Sequence, residues 1–234
     1  MNNWLKNNQL LNLDHLTTLI FKQNCLLCTA PTHTNLSLCA ACIADFPPAT
    51  WPCCPTCGIS TSGEVCGKCM KQPPHFDETH ALFTYTYPAD AIIQHYKYRN
   101  ALYLSATFAE LLIHKLQTDI DLIIPMPLHD ERVKERGFNQ SLEIAKIIAR
   151  RTHRTVDSIG CYRVKNTPPQ ASLSLKRRLN NMRGAFQCKQ SYMCQHIALL
   201  DDVMTTGASL NELAKVIKKA GASKVSCYVL ARTQ

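Results

Sequence analysis

The segment His196-Ile-Ala-Leu-Leu-Asp-Asp-Val-Met-Thr-Thr-Gly-Ala-Ser209 decides how the second half of the chain folds. An apolar strand ends in two adjacent carboxylates, and a loop of small residues then opens a helix. Backbone N–H groups at such a helix start suit a phosphate, where the helix dipole favours an anion. No lysine follows Gly207, so this is not a Walker-type loop. The pattern therefore predicts a phosphate site between a strand and a helix.

The flanking sequence predicts a parallel α/β sheet flanked by helices. Apolar runs and helical periodicity predict strands at 79–87, 121–125, 159–162, 196–200 and 225–230, and helices at 88–96, 102–116, 139–151 and 209–219. This alternation of strands and helices is typical of a parallel sheet. Gly221 should end the last helix, whose core stripe is Leu210, Leu213, Ala214 and Ile217.

The chemistry of the phosphate segment suits a sugar phosphate. Asp201 and Asp202 can accept hydrogen bonds from vicinal ribose hydroxyls, and the loop after them can surround a phosphate. Each piece also has a plain structural interpretation, because the carboxylates could simply end a strand and Ser209 could cap a helix. The combination favours ligand binding.

Cysteines dominate the first third of the chain. Of 13 cysteines, nine lie between Cys25 and Cys69, and eight of them form four CxxC pairs. Two such pairs complete a tetrahedral zinc site, so the sequence predicts two structural zinc ions. The ligands are Cys25, Cys28, Cys39, Cys42, Cys54, Cys57, Cys66 and Cys69. Neighbouring pairs combine most simply, but interleaved pairing stays open, and a dithiol switch is the less favoured alternative.

The positive charge is concentrated in one segment. The chain carries a net charge of +9, and residues 129–190 hold 14 Lys and Arg against 5 Asp and Glu, which is also +9. This distribution implies a local anion site rather than a uniformly cationic surface. The cationic side chains of interest are Arg132, Arg136, Arg163, Lys165, Lys176, Arg177, Arg178 and Arg183.

The phosphate segment resembles the 5-phosphoribosyl-1-pyrophosphate (PRPP) signature of type I phosphoribosyltransferases. The resemblance implies that Asp201 and Asp202 hold the ribose and that the following loop holds the 5-phosphate. The whole implied PRPP-binding segment is Asp201, Asp202, Val203, Met204, Thr205, Thr206, Gly207, Ala208 and Ser209. It also implies a pyrophosphate loop at Pro125, Met126, Pro127 and Leu128, and a mobile basic loop before residue 186.

The full set of motifs is similar to the ComF (ComFC) family of competence proteins. Cysteine knuckles come first, followed by PMPLH, RGFNQ, RxxxTxPQ, RxxN and LLDDVMTTGAS, and the Lys97 segment also matches. The resemblance implies a double zinc ribbon fused to a type I phosphoribosyltransferase fold. It further implies a role in natural transformation, in which the protein handles incoming single-stranded DNA together with the competence machinery.

Two functional hypotheses stay open from the sequence. The first is an active transferase that uses Mg²⁺ with PRPP and an unknown acceptor, for which no catalytic residue is identified. The second is a nucleic-acid-handling protein whose PRPP-type pocket binds without turnover. Tyr96, Tyr98 and Phe138 could stack on bases, although core packing is the more common role of an aromatic side chain.

The motifs divide the chain into three parts. We expect an amphipathic helix in residues 1–24, a double zinc ribbon in 25–72 and a phosphoribosyltransferase-like domain in 75–234. The first helix should pack on its own domain, since its polar face lacks the Lys and Arg of a membrane-surface helix. Neither a secretory signal nor a spanning stretch is recognisable. We therefore expect a cytoplasmic protein with no intrinsic membrane anchor, which partners alone would bring to the inner face of the membrane.

Overall fold

The computed structural model describes residues 23–32, 34, 36–49, 52–165 and 182–234. The chain divides into two compact units, Met1–Asp45 and Phe46–Gln234. The boundary falls between the second and third CxxC pairs, so each unit carries two of the four pairs. The N-terminal helix expected within residues 1–24 falls almost entirely outside the described residues.

The smaller unit has few regular elements. Two short strands, β1 (Gln23–Asn24) and β2 (Pro31–Thr32), pair antiparallel and are followed by helix α1 (Ala40–Ala44). Cys39 caps that helix, because its sulfur accepts a hydrogen bond from the N–H of Cys42 at 3.4 Å. Among the described residues of this unit, the buried apolar side chains are Cys25 and Leu38. So small a core agrees with metal-dependent folding.

The larger unit contains the predicted parallel sheet. Its strands, in chain order, are β3 (Glu78–Thr84), β4 (Leu122–Pro125), β5 (Thr155–Val156), β6 (Cys161–Arg163), β7 (Phe186–Cys188), β8 (His196–Met204) and β9 (Lys224–Arg232). Five of them form one sheet in the order β3-β9-β8-β4-β5, and every neighbouring pair is parallel. The predicted architecture is confirmed.

The helices in the described part of this unit include some with clear local start or stop signals. They are α2 (Gly67–Lys71), α3 (Ala89–Tyr98), α4 (Leu104–Ile113), α5 (Asp130–Arg136), α6 (Gln140–Thr152) and α7 (Ala208–Lys219). The side chain of Asn139 caps α6 by accepting the N–H groups of Ser141 and Leu142. Gly221 follows α7 with φ +103°, which confirms its predicted role.

The sheet is buried on both faces. Ile197 and Leu199 of β8 join the predicted α7 stripe in one apolar cluster. The alternate residues Ala198 and Leu200 point to the opposite face and are also buried. Burial on both faces is typical of parallel sheets covered by helices.

One predicted strand belongs to a different sheet. The run at 159–162 becomes β6, which pairs antiparallel with β7 rather than joining the parallel sheet. The prediction of a strand was therefore correct, but its sheet was wrong, since the apolar run is short and its partner lies far along the chain.

In the described part of the chain, no helix has both the length and the apolar character that a membrane span requires.

Candidate functional site: a phosphate crevice beside a cysteine cluster

The crevice lies where the sheet reverses its direction of winding. From β4 the chain continues to β5 at one side, whereas from β8 it continues to β9 at the other side. The carboxyl end of β4 lies beside β8 just before Asp201, since Pro125 pairs with Leu200. Ligands of open α/β sheets bind at such a switch point, beyond the carboxyl ends of the strands. The loops after β4 and β8, which carry the predicted site residues, therefore face one crevice.

The phosphate loop, defined here as residues 205–209, forms a tight turn before α7. Gly207 has φ +75°, a conformation that favours glycine. The Thr206 hydroxyl accepts the N–H of Ala208 at 3.2 Å, and α7 begins at Ala208. The loop thus opens directly onto the N-terminus of a 12-residue helix, where N–H groups and the helix dipole attract an anion. Val203 and Met204 continue β8, and Met204 is buried beneath the loop.

Asp201 and Asp202 stand side by side at the end of β8. Lys97, which is on α3, places its Nζ 2.8 Å from Oδ1 of Asp202. Burial lowers the pKa of Lys97, but the attraction of Asp202 outweighs it, so the pKa of Lys97 is raised. This lysine matches the family pattern by sequence, and the structure gives it a direct partner in the site.

Asp201 has a different electrostatic environment. Burial and the charge of Asp202 raise its pKa to about 7, although Lys97 opposes the shift. Asp201 therefore keeps its proton to a higher pH than an exposed aspartate does. Perturbed carboxyl groups in a crevice are typical of functional sites.

The pyrophosphate loop is held by the RGFNQ motif. The N–H of Met126 donates to the carbonyl oxygen of Leu200 at 2.8 Å, which ties the loop to β8. Nδ2 of Asn139 donates to the carbonyl oxygen of Met126 at 3.0 Å while Oδ1 of Asn139 caps α6. Pro125, Met126 and Pro127 are buried and Leu128 is half-buried. The loop is therefore fixed by backbone contacts on both sides.

Gln140 connects this loop region to Lys97. Its Nε2 donates to the carbonyl oxygen of Lys97 at 3.1 Å, and its Oε1 accepts from Nη1 of Arg136 at 3.3 Å. Arg136 also lies over the ring of Tyr98. Gln140 is 2% exposed, and a buried amide with both ends satisfied rigidly positions its partners.

Three of the predicted basic residues come together. The pKa of Arg163 is lowered by burial and then by the like charges of Arg132 and Arg136, while Asp201 opposes the shift. These groups therefore share one electrostatic environment at the crevice. Lys165 lies further out and donates to the carbonyl oxygen of Arg183 at 2.6 Å. Lys176, Arg177 and Arg178 lie outside the described residues.

The aromatic candidates divide between core and surface. Tyr96 is fully buried and donates to the carbonyl oxygen of Gln140 at 2.9 Å, so it packs in the core. Tyr98 is 64% exposed and Phe138 is half-buried.

The eight predicted metal ligands form two clusters. Cys25, Cys28, Cys39 and Cys42 form one, and Cys54, Cys57, Cys66 and Cys69 form the other, with all sulfurs of a cluster within 4.8 Å of one another. Neighbouring CxxC pairs therefore combine, and the interleaved alternative is wrong. The Sγ–Sγ distances of 3.7 Å for Cys28–Cys39 and Cys57–Cys66 match the roughly 3.8 Å edge of a tetrahedron with Zn–S bonds of about 2.3 Å.

Backbone groups support the sulfurs of the second cluster. Burial raises the pKa of the Cys54 thiol. Hydrogen bonds from the backbone N–H groups of Cys66 and Cys57 outweigh this effect and lower the pKa to about 7. The donor set, the spacing and the N–H support fit two structural zinc sites, each closed by four sulfurs.

The second cluster packs against the α/β sheet. The Thr79 hydroxyl on β3 donates to the carbonyl oxygen of Thr56 at 2.7 Å. A cavity of about 660 Å³ separates this cluster from the phosphate loop, and Phe76 and Asn211 also line it. Sequence reasoning missed this cavity, because no local pattern indicates that a cysteine knuckle lies beside the phosphate loop.

Comparison with known proteins gives the class and then the family. A family model described as a double zinc ribbon domain matches residues 16–74, which span both cysteine clusters. Together with the parallel sheet, it defines a double zinc ribbon joined to a parallel α/β domain. Competence protein F of Haemophilus influenzae is 32% identical over 231 residues, which cover 91% of this chain and 98% of that protein. The chain therefore belongs to the ComF family of competence proteins.

Other relatives match over similar lengths. The DNA utilization protein YhgH of Escherichia coli is 29% identical, covering 89% of this chain and 90% of that protein. The competence protein ComFC of Bacillus subtilis is 26% identical, covering 92% and 97%. Among solved structures, a purine phosphoribosyltransferase from Pyrococcus horikoshii is 15% identical with a TM-score of 0.33, covering 66% of this chain and 87% of that one.

Proposed function

We propose that this protein acts in natural transformation by handling incoming single-stranded DNA, and that its crevice binds PRPP or a related phosphoribosyl ligand. The observation that carries the ligand proposal is the position of Asp201, Asp202 and the phosphate loop at the switch point, where the charge of Arg163 acts on Asp201. The names of the relatives, competence protein F and DNA utilization protein YhgH, support the DNA role.

Each part of the crevice has a complementary part of PRPP. The N–H groups of the phosphate loop would hold the 5-phosphate at the start of α7. Asp201 and Asp202 would accept hydrogen bonds from the ribose hydroxyls. The pyrophosphate loop and the arginine group of Arg132, Arg136 and Arg163 would receive the diphosphate. Mg²⁺ bound by the diphosphate oxygens would supply further charge neutralisation.

Calorimetric titration of the zinc-loaded protein with PRPP and Mg²⁺ tests the pocket. We expect binding by the wild type and its loss in Asp201→Ala/Asp202→Ala. Glu64→Ala/Glu143→Ala is the matched control, because it also removes two negative charges, one on an exposed turn and one in an ion pair with Lys146. Wild-type protein that gives no heat, or equal affinity in both variants, would overturn the pocket proposal.

The DNA role depends on the basic segment, residues 129–190, whose residues Lys176, Arg177 and Arg178 lie outside the described part of the chain. Neutralising DNA phosphates releases counterions. The logarithm of the affinity for single-stranded DNA should therefore fall linearly with the logarithm of the salt concentration, with a slope of about −0.7 per phosphate contact. Lys176→Ala/Arg177→Ala/Arg178→Ala should weaken binding and reduce that slope by about 2. Lys115→Ala/Lys215→Ala/Lys219→Ala removes the same charge from outside the basic segment and should change neither. Salt-insensitive binding would contradict the proposal.

An active Mg²⁺-dependent transferase of unknown acceptor is the second candidate. The observation that favours it is the group of three arginines near Asp201, since cations stabilise the charge that develops on a departing pyrophosphate. Release of pyrophosphate from PRPP and Mg²⁺, abolished in Asp201→Ala/Asp202→Ala, would identify turnover. Binding without release would leave the crevice as a ligand site for the DNA-handling protein.

A further inference from the structure

Two cysteines outside the metal clusters face each other on adjacent strands. Cys161 on β6 is the register partner of Cys188 on β7. Their sulfurs are 2.7 Å apart, 1 Å closer than the 3.7 Å between Cys57 and Cys66 in the second metal cluster. Cys161 is buried and Cys188 is half-buried, whereas the remaining two cysteines of this domain, Cys194 and Cys227, are exposed and buried.

The strand register places this pair at a position suited to a disulfide. The N–H of Lys189 donates to the carbonyl oxygen of Gly160, and the N–H of Val164 donates to that of Ala185, both at 2.8 Å. These flanking pairs are hydrogen-bonded, and alternation along an antiparallel ladder makes Cys161–Cys188 a non-hydrogen-bonded pair. Such pairs have Cα atoms about 4.5 Å apart, within the range of about 4.4–6.8 Å that a disulfide spans.

A rigid frame holds the buried member of the pair. Oδ1 of Asp157 accepts the N–H groups of Ile159 and Gly160 at 3.0 and 2.7 Å. Its Oδ2 accepts the hydroxyl of Tyr192 at 2.8 Å, and that hydroxyl lies 3.4 Å from the sulfur of Cys161. A Cβ at Gly160 would come within 2.4 Å of the Tyr192 oxygen, so glycine is needed for this packing. The cysteine is therefore positioned before any reaction.

The pair is not a third metal site. Within the described ranges, the groups of three or more possible ligands are the two Cys₄ clusters, and neither Cys161 nor Cys188 belongs to them. Hydrogen bonding from Cys188, with a smaller contribution from Tyr192, lowers the pKa of Cys161, although burial opposes the shift. The same contact raises the pKa of Cys188, so Cys161 is the more acidic thiol of the pair.

We propose that Cys161 and Cys188 are a site of reversible oxidative modification that forms one intramolecular disulfide by exchange with a low-molecular-weight disulfide. Cys188 is the more exposed sulfur of the pair; it loses its proton to solvent, and its thiolate attacks glutathione disulfide, which releases one glutathione as the thiol and leaves a mixed disulfide. The Cys161 sulfur then attacks the Cys188 sulfur and releases the second glutathione. Two cysteines are oxidised, one glutathione disulfide is reduced, and the two cysteine protons end on the two glutathione thiols.

The disulfide would fix a strand that carries a residue of the crevice. Arg163 lies two positions from Cys161 on the same face of β6, and its guanidinium lies 5.8 Å from the ring centroid of Phe186 on β7. The disulfide would therefore link β6 and β7 at the neighbouring residue pair on the same face, two positions from the contact between Arg163 and Phe186. Because it closes the chain between residues 161 and 188, it also reduces the entropy of the unfolded state.

Peptide mapping under non-reducing conditions tests the proposal on the full-length, zinc-loaded protein after incubation with glutathione disulfide. We expect the Cys161–Cys188 linkage in the wild type and in the matched control Cys194→Ser, with a higher melting temperature that returns to its original value on reduction. Cys161→Ala should instead retain glutathione on Cys188. A zinc assay in the same samples shows whether the Cys₄ clusters stay loaded.

The proposal is overturned if the wild type keeps both zinc ions and shows no Cys161–Cys188 linkage at glutathione disulfide excess. It is equally overturned if Cys188 couples to Cys194 in preference to Cys161. The wild-type mapping decides the matter even if a variant does not fold. These outcomes are independent of PRPP or DNA binding.

Discussion

Arg232, at the end of β9, donates a hydrogen bond from Nε to the carbonyl oxygen of Cys57 at 2.8 Å. Its Nη1 donates to the carbonyl oxygens of Met204, the last residue of β8, and Thr205, the first residue of the phosphate loop. One buried guanidinium, 5% exposed, thus joins a metal ligand of the second cluster to the loop. The planar fork of arginine suits several carbonyl acceptors at once. Arg232 therefore connects the second cysteine cluster to the phosphate loop by direct hydrogen bonds.

Replacing Arg232 with lysine should destabilise the larger unit. An ammonium cannot reproduce the fork, so buried carbonyl groups lose partners, at a cost of about 2 kcal/mol in the free energy of unfolding. Denaturant titration measures the change, and PRPP affinity should fall with it. Arg151→Lys is the control, because Arg151 is 51% exposed and pairs with Glu110, and it should change stability by less than about 0.5 kcal/mol. Equal effects of the two variants would contradict the connection.

The two cysteine clusters should respond differently to mutation. Cys25→Ser/Cys28→Ser should reduce bound zinc from two ions to one and leave the main unfolding transition nearly unchanged, because that cluster belongs to the unit Met1–Asp45. Cys54→Ser/Cys57→Ser should also remove one ion but lower the melting temperature of the sheet, since this cluster lies in the same unit. Metal analysis and calorimetry measure both effects. A large loss of melting temperature in the first variant would refute this assignment.

Asp201 should give the stability a distinct pH dependence. Its pKa is raised from 3.8 to about 7, so between these values the folded state holds a proton that the unfolded state has lost. The contribution of Asp201 to the free energy of unfolding is fully present below about pH 4 and is lost as the pH rises to about 7. Asp201→Asn does not titrate, so its stability relative to wild type should rise between about pH 4 and pH 7, by at most about 4 kcal/mol. Denaturation at several pH values measures the difference, and a constant difference would sink the idea.

Gly207→Ala should damage the phosphate loop. Gly207 has φ +75°, and an added Cβ would meet Cε of Met204 at 3.1 Å. The backbone strain should cost about 1–2 kcal/mol in stability, and a relaxed loop should bind PRPP more weakly. Gly67→Ala is the matched control, because Gly67 lies in α2 with open space at its Cβ position and should be neutral or stabilising. The reverse order of stability would count against the loop geometry.

Local sequence was sufficient for the elements that carry the site. The apolar run before Asp201, the small residues after it and the glycine at 221 each act within a few residues, so β8, the phosphate loop and α7 could be predicted. Asn139 likewise begins α6 by a local cap. The four CxxC pairs were recognisable from spacing alone.

Long-range contacts could not be predicted from the same signals. The ion pair of Lys97 and Asp202 joins elements more than 100 positions apart, and no local pattern selects that partner. Spacing also treats the four cysteine pairs as equivalent. Contacts such as the hydrogen bond from Thr79 to Thr56 place the second cluster in the same compact unit as the sheet. Helix α5 was missed because its seven residues contain no apolar period, although acidic residues begin it and basic residues end it.

The strand order has a consequence for biosynthesis. Among the described strands, β3 pairs with β9 and β9 lies between β3 and β8, yet β9 is the last of them to be made. During synthesis, β3 and the cysteine knuckle hydrogen-bonded to it therefore remain without their partner strand β9 until β9 has been made. The sheet can close, and Arg232 can reach the knuckle, only after β9 has been synthesised and has emerged. The pocket is therefore assembled in a single late step, which makes the nascent chain dependent on protection of an open strand edge until then.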